Sequence, residues 1–387
     1  MRKCLLAVQG PLQFIAGLIA LEWYGHIKHD SSESEVVLVL YDFLVPVEVE
    51  KPLQEAILSI AGVREWKKVV FIGGQEMSHI MRKRYSRSVL EMRSILGESS
   101  FDEIFLASNV MGFGSVLMLN AYPDATRVIY GDSFGLVGNE SLMLIRWSWS
   151  LKAARIYLRS LARKVLFGYP KQIAFDVAVL TLPVDYSGRY LQNVPLLVPQ
   201  REFALARLKE CCDQLPGLIA YCKNLLEGAH NPSLFMLSTL FQSGLMSMEN
   251  EIALYIRIIR RTAPQGSTII MKPHPRGNMA ILAAVVNAVE AEYRVMVIDD
   301  PQFSRIPIEL WILLITECTI VAFYSTSSVN LNYFYGKDVV IPLDANTIGE
   351  LFYPQEIATA IKDNTLNLEA INKLKMWDGN SPLWQAQ

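Results

Sequence analysis

The sequence is poor in the residues that carry metal and redox chemistry: its 387 residues include five histidines and five cysteines. Cys4, Cys211, Cys212, Cys222 and Cys318 show no metal-ligand spacing, and the adjacency of Cys211 and Cys212 is a poor start for a disulfide framework. A reducing, cytoplasmic setting is expected. Excess charge of one sign is also missing. Lys plus Arg total 36 and Asp plus Glu 38, a net charge of −2 without the basic surplus of a general nucleic-acid binder. No Gly-x-Gly-x-x-Gly fingerprint and no Walker lysine pattern occur, so hydride transfer and P-loop phosphoryl transfer lack their usual marks. No Asp-x-Asp is present to hold a divalent metal. Uninterrupted apolar runs of membrane length are absent as well, although the chain is 51 % apolar with a mean hydropathy of +0.24. Segment 104–123 has no charge but contains Ser108, Asn109, Gly112, Gly114, Ser115 and Asn120, and segment 306–324 carries Glu309 and Glu317. Neither is expected to span a bilayer. The apolar stretch after Met1-Arg2-Lys3 is broken by Gln9, Gly10, Pro11 and Gln13 and is not expected to be a secretory leader.

What is present is a regular alternation of short apolar runs with helical periodicity, the pattern of parallel sheets with crossover helices. Strands are predicted near 3–8, 36–42, 68–73, 102–107, 126–131 and 175–181, then near 234–240, 267–272, 294–298, 319–323 and 338–341. Runs such as Val36 to Leu40 are apolar throughout, as strands covered on both faces should be. The length suits two domains. Three prolines between 183 and 200 suggest a linker, giving domains of 1–190 and 200–387, with a last helix that can return to the first. From Ser141 to Phe175 no acid occurs, while Arg146, Lys152, Arg155, Arg159, Arg163, Lys164 and Lys171 alternate with aromatic and aliphatic residues including Trp147 and Trp149. That stretch suits a solvated helix face, an anionic membrane surface or an acidic glycan.

Four places stand out as candidate chemistry. In Lys272-Pro273-His274-Pro275-Arg276 a predicted strand runs into a loop that two prolines stiffen. Lys272, His274 and Arg276 are then offered beyond a strand's carboxyl end, where open α/β sheets bind ligands. Three cations there suit a phosphate; the same residues also suit a solubilising loop. Ser325-Thr326-Ser327-Ser328 follows the predicted strand Thr319–Phe323 and opens a helix, where hydroxyls can cap it or join its N–H groups on an anion. Asp132, in Gly131-Asp132-Ser133, is placed either for a catalytic base or for an ordinary turn. Gly10-Pro11 turns the first strand into a helix over about 12–23.

Together these residues resemble the bacterial sialyltransferase and polysialyltransferase-like families, which share a His-Pro motif, a Ser-Ser or Ser-Thr pair and an acidic pair followed by Gly. His274-Pro275 matches the first and the run Ser325, Thr326, Ser327, Ser328 the second. Gly131-Asp132-Ser133 departs from the third by keeping one acid and replacing the glycine with serine. Gly10-Pro11-Leu12-Gln13 looks like the families' opening loop. The resemblance implies an α/β protein of GT-B type, two Rossmann-like domains whose parallel sheets face a central cleft. It implies inverting, metal-independent transfer of sialic acid from CMP-sialic acid to a bacterial surface glycan. His274 and the hydroxyls would hold the donor phosphate, with Lys272, Pro275 and Arg276 beside them. Asp132 would take the acceptor's proton, and Glu309 would face the cytidine ribose or, equally well, simply start a helix. The partners implied are a nucleotide sugar and an acidic or lipid-linked acceptor at the inner face of a membrane, with no nucleic acid. Two alternatives remain open: another donor (CMP-Kdo, a UDP- or GDP-sugar), or a non-catalytic sugar- or nucleotide-binding protein on the same scaffold.

Overall fold

The computed structural model describes residues 1–29, 33–41, 47–107, 113–131, 175–183, 194–275, 277–323 and 325–376. They divide into two compact units, the second beginning at Cys211, inside a helix.

The first unit holds a seven-stranded parallel sheet, ordered β3-β2-β1-β4-β5-β6-β7. Its strands are β1 (Arg2–Val8), β2 (Ser34–Tyr41), β3 (Lys68–Ile72), β4 (Glu103–Ala107), β5 (Thr126–Gly131), β6 (Val177–Leu180) and β7 (Leu196–Leu197). The described helices are α1 (Pro11–His29), α2 (Val47–Ile60), α3 (Gly74–Met81), α4 (Tyr85–Leu96), α5 (Phe113–Ala121) and α6 (Arg201–Asp213), the last crossing into the second unit. Cys4 to Val8 and Val36 to Leu40 are fully buried, which is why these runs carry no polar alternation. Helix α1 starts cleanly because Pro11 occupies its first position, where a missing N–H costs nothing. Gln13 then folds its side chain back to accept from Gln9 N at 2.9 Å. β7 lies inside the stretch expected to be linker; Ala178 N reaches Pro195 O at 2.9 Å and starts the pairing.

The second unit holds a five-stranded parallel sheet, ordered β10-β9-β8-β11-β12. Its strands are β8 (Ser233–Met236), β9 (Thr268–Lys272), β10 (Arg294–Val297), β11 (Thr319–Ala322) and β12 (Val339–Val340). Around them lie α7 (Pro216–Leu226), α8 (Met248–Thr262), α9 (Met279–Val289), α10 (Ile312–Glu317), α11 (Thr326–Tyr335), α12 (Ala345–Leu351) and α13 (Ile357–Lys375). Side-chain caps set several starts: Ser247 accepts from Asn250 N at 3.2 Å, and Asn278 from Ala280 N at 2.9 Å. Helix α13 packs on α11 and α12. Each unit has its own core cluster. All five cysteines are buried thiols. No described helix is long and apolar enough to cross a membrane.

Candidate functional site

In the second sheet the chain runs outward from β8 to β9 and β10 on one side, then returns to lay β11 and β12 on the other. β8 is therefore the point where strand order reverses, and ligands in open α/β sheets bind beyond the carboxyl ends at such a point. Lys272, Met236 and Ala322 form one row across β9, β8 and β11. His274 comes two residues after this row and Ser325 three, on strands separated by β8 alone. Two strand spacings put those strands about 10 Å apart. The two motifs singled out in the sequence thus leave the same edge of one sheet.

The loop after β9 is tight. Gly277 N donates to His274 O at 2.7 Å, and a Cβ on Gly277 would stand 3.0 Å from that same oxygen. Pro273, His274 and Pro275 are half-buried, open to a ligand on one side. Lys272 departs from expectation. As the final residue of β9 its side chain turns inward, only 7 % exposed, instead of joining the loop's surface. Its ammonium donates to Ser304 O at 2.8 Å and lies 5.2 Å from the centre of the Trp311 ring. Burial pushes its pKa down to about 7, against the opposing pull of Glu309.

At the other motif, Ser325 caps α11 and accepts from Ser327 N at 3.3 Å. Ser328 is buried and its hydroxyl donates to Ser325 O at 2.6 Å, so it serves the helix start. Thr326 and Ser327 stay half-buried, at the end where the helix dipole favours an anion. Glu309 sits in a single 3₁₀ turn, Ile308–Leu310, and is 1 % exposed. Its Oε1 accepts from Asn330 Nδ2 at 2.8 Å, while its Oε2 and Asn330 Oδ1 are buried without a hydrogen-bond partner.

Sequence reading overlooked the segment between these two loops. The apolar run 234–240 reads as one strand, but β8 ends at Met236 and Leu237 to Leu240 form a loop. Ser238 Nα–H donates to the Tyr255 hydroxyl at 2.9 Å, and the Ser238 hydroxyl donates to Phe323 O at the end of β11. Together with Pro273, His274 and Asn278, Ser238 lines a small cleft. A pair of hydroxyls, Ser238-Thr239, directly after the buried part of a strand was the signal available.

In the first unit Gly10 stands at the carboxyl end of β1, the strand where that sheet's order reverses, with open space where a Cβ would be. β5 ends on Gly131 at φ 147°, a backbone setting that favours glycine. Asp132 follows it and lies outside the described residues, as do Arg276 and the basic stretch 146–171.

The family model described as Alpha-2,8-polysialyltransferase (POLYST) matches residues 223–343, which include both motifs and the loop between them. No curated protein matches the chain. Among solved structures, UDP-GlcNAc 2-epimerase from Methanocaldococcus jannaschii aligns at TM-score 0.50 and 10 % identity, over 100 % of this chain and 96 % of that one. The GT-B domain of a sialyltransferase from Photobacterium damselae aligns at TM-score 0.47 and 11 % identity, over 95 % of this chain and 97 % of the other. The likeness to the epimerase speaks to the fold alone, two α/β units each built on a parallel sheet. The His274-Pro275 and Ser325–Ser328 motifs, from which the resemblance was read, both fall within the stretch that is similar to the polysialyltransferase family, a stretch shorter than half of the chain.

Proposed function

We propose that the chain transfers sialic acid from CMP-sialic acid to a hydroxyl of a glycan, with inversion and without a metal. The supporting observation is that the His274 loop and the first turn of α11 leave the same sheet edge, on either side of β8, within the segment that matches the family. In the reaction the acceptor hydroxyl gives its proton to Asp132 as its oxygen bonds the anomeric carbon. The bond from that carbon to the CMP phosphate oxygen breaks, and its electron pair leaves with the phosphate. His274, the hydroxyls of Ser325, Thr326 and Ser327, and the amide end of α11 meet the charge that develops there. Arg276 adds a cation on the same loop, Pro275 stiffens it, and Gly10 leaves room beside the first sheet. Glu309 offers Oε2 as an acceptor for ribose hydroxyls. Lys272 is assigned no contact with the phosphate, because its ammonium is buried on Ser304 O.

On the same reading the acceptor is an acidic or lipid-linked surface glycan. The enzyme works in the cytoplasm at the inner face of a membrane, with Arg146, Arg155, Arg159 and Arg163 toward anionic headgroups. His-Pro and hydroxyl motifs recognise phosphate without naming the sugar, so a different nucleotide donor is the second reading. Thermal stabilisation by a nucleotide panel, read beside transfer from CMP-sialic acid, separates them. CMP is expected to raise the melting temperature where UMP and GMP do not. His274→Ala is expected to fold yet lose transfer by at least about a hundredfold, the scale of a lost charge-stabilising donor. Near wild-type transfer by His274→Ala would sink the assignment.

A further inference from the structure

Beneath the loop after β8 lies a buried pair on α8 that the mechanism above leaves unused. Glu251 is 1 % exposed, and its carboxylate accepts from Leu240 N at 3.3 Å and Phe241 N at 2.8 Å. It also accepts from the Tyr255 hydroxyl at 2.8 Å. That hydroxyl lies within reach of Ser238 O as well, at 3.2 Å, but it has one proton, and the shorter bond to a carboxylate is the stronger claim on it. Its lone pair is then free to take the Ser238 N–H. Burial and the Glu251 charge both raise the Tyr255 pKa, so the phenol keeps its proton. Three backbone N–H groups of one loop, at positions 238, 240 and 241, are thus satisfied by two side chains of one helix. Ser238 carries the constraint further, because its hydroxyl holds Phe323 O, two residues before Ser325. On the opposite side the same loop is joined to β9, with Leu237 N donating to Lys272 O at 3.0 Å.

A buried carboxylate is an expensive way to hold a loop that a few apolar contacts could hold. Its use here follows from where the loop sits, between the two donor-binding motifs and on the wall of the cleft that also contains His274. Resting on the donor reading above, we infer that Glu251 and Tyr255 are positioning residues: through Ser238 they fix the spacing of the His274 loop and the α11 turn around the donor phosphate.

The test is steady-state kinetics of Tyr255→Phe, Glu251→Gln and Ser238→Ala, each assayed well below its own melting temperature. Tyr255→Phe strands the Ser238 N–H and is expected to raise the donor KM about tenfold, the scale of one buried hydrogen bond lost. The acceptor KM should stay within about twofold of wild type, since the pair is proposed to act on the donor loops. Ser238→Ala removes only the link to Phe323 O and should raise the donor KM in the same direction by less, which keeps the idea testable even where a Glu251 variant folds poorly. Glu251→Gln keeps one acceptor oxygen for the three donors that the carboxylate now serves and should raise the donor KM in the same direction. Lowered melting temperatures with unchanged donor KM in Tyr255→Phe and Ser238→Ala would overturn the inference, leaving a purely structural pair. A wild-type protein that neither binds CMP nor transfers from a CMP-sugar would overturn the donor reading itself, and this inference with it.

Discussion

Lys272 holds its ammonium on a carbonyl and an aromatic face, with Glu309 close enough to pull its pKa upward but not enough to offset burial. The folded-state pKa of about 7 lies below the ordinary lysine value of 10.5. Below about pH 7 both folded and unfolded chains hold the proton, and the folded state bears the cost of a buried charge. Between about 7 and 10.5 the unfolded chain still holds the proton while the folded one has released it, so this residue's contribution to stability grows as pH rises. Urea denaturation at pH 7 and pH 9 checks this. Lys272→Met should gain less, or lose more, relative to wild type at pH 9 than at pH 7. A difference between the two proteins that does not change with pH would refute the assignment.

At the scale of elements, helix α1 depends on one glycine. A Cβ on Gly17 would lie 2.7 Å from Leu6 Cδ1 and 2.9 Å from Tyr130 Cζ, and the Tyr130 ring cannot swing away because its hydroxyl donates to Ala7 O at 2.7 Å. Helix propensity alone favours Gly→Ala by about 1 kcal/mol. The clash is expected to win, with Gly17→Ala destabilising by about 1–3 kcal/mol, as overpacked cores do. Chemical denaturation reads the sign directly. A similar contest of local and tertiary effects decided what could be read from the sequence. Strands covered on both faces announced themselves as apolar runs, and the proline-bracketed His274 loop announced its stiffness. Leu237 to Leu240 misled, since an apolar run gives no hint that Glu251 and Tyr255, more than ten residues along the chain, take up its N–H groups. β7 was hidden because Pro195 and Pro199 flank it, yet Pro195 contributes only its carbonyl, the one ladder group proline retains. Nothing around Lys272 foretold its inward turn, which depends on Trp311 and Ser304 arriving from a distant segment.

At the scale of the whole molecule, attraction to a surface is a matter of summed charge. With a net charge of −2 the chain as a whole is not drawn to an anionic membrane, so any such affinity must come from a local concentration such as 146–171. Neutralising Arg155, Arg159 and Arg163 together should weaken binding to anionic liposomes about a hundredfold, at roughly 1 kcal/mol per charge. Transfer to a short soluble acceptor should be unaffected. Intact liposome binding with lost transfer to long acidic acceptors would instead assign the stretch to the glycan, and no change in either would return it to solvent. The second unit also separates what it holds from what holds it together. Its core residues Phe235, Ile269, Met271 and Val321 are fully buried, whereas His274, Ser325, Thr326 and Ser327 are only half-buried at the rim. Descent can therefore rewrite the rim while the strands beneath are inherited unchanged, and a lineage can trade one ligand for another without ever passing through an unfolded ancestor.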